Sequence, residues 1–87
     1  MSVTLTLLQD QAIAARMALI VGAPTFDRLF LGIRFAEIEG EFLFAYAKDE
    51  ETAAEIEDRF ALHISIIASR ILEQDIRIVM VLPKEVV

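Results

Sequence analysis

Glu37, Glu39 and Glu41 alternate along one short stretch of the chain, the spacing that puts side chains on one face of a strand and its turn. Neighbouring carboxylates can divide acid and base roles in proton transfer, or together hold a hard divalent cation such as Mg²⁺. Nothing around these three implies an apolar, concave setting. The favoured reading is a solvated strand edge, kept from pairing with other chains by like charge. The single histidine, His63, stands between Leu62 and Ile64, one step off an apolar helical stripe. With no second histidine and no cysteine, a transition-metal site would need an all-carboxylate partner set, so His63 reads as a structural or surface residue. The chain has no Ser-x-x-Lys, no Gly-x-Ser-x-Gly, no P-loop and no Gly-x-Gly-x-x-Gly. The expectation is a protein that is not an enzyme, with no metal and no cofactor.

Binding is the remaining class of function, and charge narrows it. The 87 residues hold 14 acidic and 8 basic side chains, a net charge of -6. The excess is local: residues 37–58 carry nine acids against Lys48 alone, while the flanking segments are each slightly basic. Such a balance argues against a domain built to hold phosphate backbone. A KH-type nucleic-acid domain needs a Gly-x-x-Gly loop, which is missing, and the basic residues are scattered singly. A weak, salt-sensitive nucleic-acid contact through Arg16, Arg28 and Arg34 is the most the sequence supports. With 56% hydrophobic residues and no cysteine, intrinsic disorder, a disulfide scaffold and a Cys-ligated zinc site are excluded. No apolar run approaches the roughly 20 residues of a membrane span, and the N-terminus lacks the basic region of a signal peptide. These features predict a cytoplasmic protein with no membrane contact.

The elements that must position these residues follow from periodicity. Residues 7–21, rich in Ala, Leu, Gln and Met, predict a helix capped by Thr4 or Thr6 and ended by Gly22-Ala23-Pro24. Leu8, Ala12, Ala15 and Leu19 form one stripe, taken as its core face. Ile13, Met17 and Ile20 are then surplus apolar residues on the polar side. Thr25 is a plausible N-cap for a short helix carrying Phe26, Leu29 and Phe30 on one face. Strands follow near 33–38 and 42–47, with a turn at Gly40; in the second, Phe42, Phe44 and Tyr46 point one way and Leu43, Ala45 and Ala47 the other. Asp49 caps a long helix running to about Leu72, with Thr52-x-x-Glu55 an alternative capping box. Ala53, Ile56, Phe60, Ile64, Ile67 and Ile71 mark its buried stripe. Residues 75–82 make a last strand stopped by Pro83. The expected fold is a small α+β two-layer sandwich of order α-α-β-β-α-β, its three-stranded sheet covered by helices on one face. It fills a single domain over 1–83 with a tail at 84–87. The last two strands flank a helix and therefore need a crossover connection.

The stretch from Val21 to Pro83 resembles the N-terminal domain of the bacterial replication initiator DnaA. The resemblance is carried by Pro24-Thr25-Phe26-Asp27-Arg28-Leu29-Phe30, by Phe42-Leu43-Phe44-Ala45-Tyr46-Ala47, and by Asp49 where the family has an Asn cap. Glu55-Ile56-Glu57-Asp58-Arg59-Phe60 and the strand Ile76 to Leu82 complete it. It implies a protein-interaction hub that self-associates through its first helix, contacts the replicative helicase and small initiator regulators, and touches single-stranded DNA weakly. The family's self-association aromatic falls near Asp10, and its tryptophan after the Phe anchor is Leu29 here. Positions associated with helicase contact fall at Thr25 and Glu51, where relatives can carry Glu and an aromatic. From the residues themselves, an exposed Ile13, Met17, Ile20 face would bind protein, unless the second helix or the Val86-Val87 end covers it. The expected function is a non-enzymatic interaction module with a protein partner, possible as a homodimer. The alternative is a KH-like single-stranded nucleic-acid binder or a small helicase-recruiting protein.

Overall fold

In the computed structural model, residues 2–84 are described. A short strand β1 (Ser2–Thr4) leads into helix α1 (Leu7–Val21). A single helical turn α2 (Ala23–Thr25) runs on directly as a π-helical turn, Phe26–Phe30. Then come β2 (Arg34–Glu39), β3 (Phe42–Ala47), the long helix α3 (Glu50–Leu72) and β4 (Ile78–Pro83). The class is α+β, as the periodicity predicts, but the sheet has four strands rather than three, in the order β1-β2-β3-β4. The added strand pairs Ser2, Val3 and Thr4 antiparallel with Glu39, Ile38 and Glu37. Three residues are too few to show an alternating pattern, so only the pairing reveals it. β2 and β3 form the expected hairpin, with Gly40 at φ +59° in its turn. β3 and β4 run parallel, which is what a crossover through α3 delivers.

The helices cover one face of this sheet. The core-facing side chains Phe35 and Ile38, Leu43, Ala45 and Ala47, and Val79 and Val81 are buried together with Phe30 and with Ile56 and Ile64 of α3. α3 behaves as its sequence predicts. The Asp49 carboxylate accepts from the Thr52 N–H at 2.7 Å, and Ala53, Ile56 and Ile64 are buried. The alternative box at Thr52 is not used, because Glu55 turns to Arg28 instead. Its C-terminal end is fixed by two serines: Ser65 Oγ donates to the Ile76 carbonyl at 2.5 Å, and Ser69 Oγ accepts from the Ile76 N–H at 3.0 Å.

α1 is turned over relative to its predicted orientation. Ile13 and Met17 are fully buried, whereas Leu8 is 77% and Leu19 83% exposed. The reason is Asp10. Its carboxylate reaches inward and accepts the Phe35 N–H at 2.8 Å, at the point where a bulge between Phe35 and Glu37 breaks the β2–β3 register. A polar residue thus lies within the core-facing arc, and a rule that sends polar residues outward places the whole helix backwards. Thr6, with Gln9 answering in a capping box, starts the helix. Thr25 is not a cap: its φ and ψ are helical, and its side chain makes no capping hydrogen bond, because the turn already begins after Gly22. Lys84 at the expected tail is held by the domain, its N–H bonded to the Ala47 carbonyl at 2.8 Å and its Nζ to the Gly32 carbonyl. The Val86-Val87 end lies outside the described residues.

Candidate interaction surfaces

Of the three alternating carboxylates, Glu41 parts from the other two. Glu41 pairs with Arg77 at 3.2 Å, and Arg77 also holds Asp75 at 3.0 Å. Glu37 and Glu39 stand on the sheet face away from the helices, and neither has an ion pair among the described residues. No group of three or more His, Cys, Asp or Glu side chains among the described residues is placed to hold a metal ion. His63 is exposed and meets the Phe60 ring edge-on at 6.1 Å between ring centres.

Of the partner-binding candidates on α1, Ile13 and Met17 belong to the core and only Ile20, half exposed, remains on the surface. The surface of that helix instead carries Leu8, Ala15 and Leu19, with Ala12 half-buried in the same stripe. Spaced by 4, 3 and 4 residues, they form a coiled-coil-type seam on the side facing away from Ile13 and Met17. The sequence supplied both stripes and left their assignment to the polar residues between them, and Asp10 misdirected it.

Thr25 is half-buried and Glu51 is exposed in the first turn of α3. The segments that carry them are tied together by charge. Arg28 donates through both terminal nitrogens to the Glu55 carboxylate, at 3.2 and 3.0 Å, and Arg59 reaches the same group at 2.8 Å. These hydrogen bonds, Arg28 first and then Arg59, hold the Glu55 carboxyl below its ordinary pKa. Lys48 Nζ adds a bond to the Arg28 carbonyl at 2.8 Å. The cluster is an exposed brace between the π-helical turn and α3, two guanidinium groups sharing one carboxylate.

The uncovered sheet face was half-legible: the common direction of Phe42, Phe44 and Tyr46 follows from alternation, but not which direction the helices cover. They cover the other one. The register stacks the open face into cross-strand rows, Ser2–Glu39–Phe42–Ile78 and Thr4–Glu37–Phe44–Met80, with Arg34–Tyr46–Leu82 at the far end. The β1–β2 half is polar and acidic, and the β3–β4 half is apolar. Phe42 and Phe44 lie with ring centres 6.3 Å apart and planes 16° from parallel. Phe42, Ile78 and Leu82 are exposed large hydrophobics.

No helix among the described residues is long and apolar enough to cross a membrane. No protein-family model matches the chain, and no curated protein matches it.

Proposed function

We propose that this chain is a non-enzymatic protein-interaction module of the DnaA N-terminal kind. In this reading it acts in replication initiation or its regulation, pairing with a second copy and holding a protein partner such as the replicative helicase or an initiator regulator. The observation that carries the reading is the solvent-facing seam of α1. A soluble helix that has already buried Ile13 and Met17 has no folding reason for a second apolar stripe with Leu8 and Leu19 at its ends. Its geometry suits two-fold pairing. Two antiparallel copies place Leu8 against Leu19 of the other chain and Ala12 against Ala15, and the small central residues allow close approach. Arg16 is the sole charge among the residues next to the seam, so pairing brings little like charge together. Thr25 and Glu51, beside the Arg28–Glu55 brace, remain the positions at which the resemblance implies helicase contact.

Sedimentation velocity from low micromolar to millimolar concentration tests the pairing. The wild type forms dimers, and Leu8→Lys with Leu19→Lys yields monomers with an unchanged circular dichroism spectrum. A wild type that stays monomeric at every concentration removes the reading.

A KH-like single-stranded nucleic-acid binder is the second reading, and the aromatic column on the open sheet face favours it, since bases stack on such rings. Glu37 and Glu39 in the same rows oppose it by repelling phosphate. Binding of oligo(dT) weaker than the roughly 10⁻⁴ M non-specific limit rejects it.

A further inference from the structure

The open sheet face lies across the sheet from α1, and what it can bind does not depend on the pairing seam. Its apolar half consists of the column Phe42, Phe44, Tyr46 on β3 and the column Ile78, Met80, Leu82 on β4. Along one side of those columns run Glu37 and Glu39, without an ion pair among the described residues, with Arg34 beyond them beside Tyr46, while Glu41 is already held by Arg77. We propose that this face docks an amphipathic helix of a partner protein, apolar where it meets β3 and β4 and rich in lysine or arginine along the flank that meets β2.

Size, charge and edge chemistry select that occupant. Adjacent strands about 4.8 Å apart and a run of five residues give an apolar strip roughly 14 Å long and two strands wide. A three-turn helix, about 16 Å long and 10–12 Å across, matches it. An extended peptide adding to the sheet edge suits the molecule less well. β1 offers only three residues. On β4, the inward bonds of the Ile78 and Lys84 N–H groups leave the odd-numbered positions facing outward, and Pro83, which has no N–H, is one of them. A second copy stacked face to face would press Glu37 and Glu39 against like charge or against bare aromatic surface, where an unpaired carboxylate is costly to bury. A basic flank instead gives both glutamates their missing partners, and the chain's net charge of -6 draws such a segment in.

The test uses a fluorescein-labelled peptide of about 14 residues, leucines on one helical face and lysines along its flank, and a twin with glutamate in place of lysine. Anisotropy titrations at moderate salt should show saturable binding of the lysine peptide. Affinity should fall more than about tenfold for the glutamate twin, for Phe42→Ser with Ile78→Ser, and for Glu37→Lys with Glu39→Lys. Glu57→Lys with Asp58→Lys makes the same charge change on the exposed side of α3 and should leave affinity within about twofold. The seam variant Leu8→Lys with Leu19→Lys should still bind the peptide, which separates this proposal from self-pairing. Thermal melts identify any variant that fails to fold, and the Glu37/Glu39 variant decides if the serine variant does. The proposal is overturned by absence of saturable binding, by equal affinity for the two peptides, or by an equal loss in the α3 control. It is also overturned by tighter binding of fluorescein-labelled oligo(dT), or by a dimer that the Phe42/Ile78 change dissolves, which would make a second copy the occupant.

Discussion

Asp10 acts in this fold as an acceptor. The Phe35 N–H lies beside a bulge in β2, and it donates to the carboxylate of a different element, 2.8 Å away. Removing the acceptor strands a part-buried donor, which costs about 1–3 kcal/mol. Asp10→Ala should therefore lower the free energy of unfolding in a urea titration by that amount. Asp10→Asn, which keeps an oxygen in place, should recover most of it. A loss no larger than that of an exposed helix site would mean that water satisfies Phe35 equally well. Ser65 and Ser69 perform a similar service for Ile76. None of these bonds is written in local sequence, because each joins a helix side chain to backbone that meets it only once the chain has folded back.

At the scale of elements, the difference between α3 and α1 shows what periodicity can and cannot specify. α3 has one long apolar stripe and an Asp49 cap, and although Leu62 and Ile66 lie exposed outside that stripe, its face and both its ends follow from the sequence. α1 has apolar residues on two opposite sides, and the arc that packs inward, with Ile13 and Met17, also carries Asp10, whose bond to Phe35 no periodicity announces. A lysine in place of Met17 should consequently unfold the protein or lower its melting temperature sharply, since it buries an unpaired charge. A lysine in place of Leu19 should change stability by less than about 0.5 kcal/mol. Thermal melts of the two variants compare the faces directly, and similar melting temperatures would contradict the orientation described. β1 is the other element the sequence concealed. Its three residues become a strand only because Glu37, Ile38 and Glu39 present a free edge.

For the molecule as a whole, the acidic bias of residues 37–58 is partly neutralised, at Glu55 by Arg28 and Arg59 and at Glu41 by Arg77, and otherwise left to solvent. Glu55 binds Arg28 and Arg59, and its pKa is lowered from the ordinary 4.5 by those hydrogen bonds. A carboxyl with a depressed folded-state pKa stabilises fully above the unfolded value, and the contribution is lost as pH falls through the folded value. Glu55→Gln should therefore melt below the wild type at neutral pH, with the gap closing as pH drops below 4.5. Because the cluster is solvent-exposed, the gap should be small and should shrink with salt. A gap independent of pH would assign the effect to packing. The parallel pairing of β3 with β4 also has a consequence in time. β1, α1 and the β2–β3 hairpin are complete within the first 47 residues, yet the second edge of β3 has no partner until residues 78–83 arrive. At about 5–20 residues per second of synthesis, the intervening 30 residues leave that apolar edge open for seconds in each new chain. Susceptibility to misassembly is then set by how soon β4 is delivered, with the stability of the finished fold playing little part.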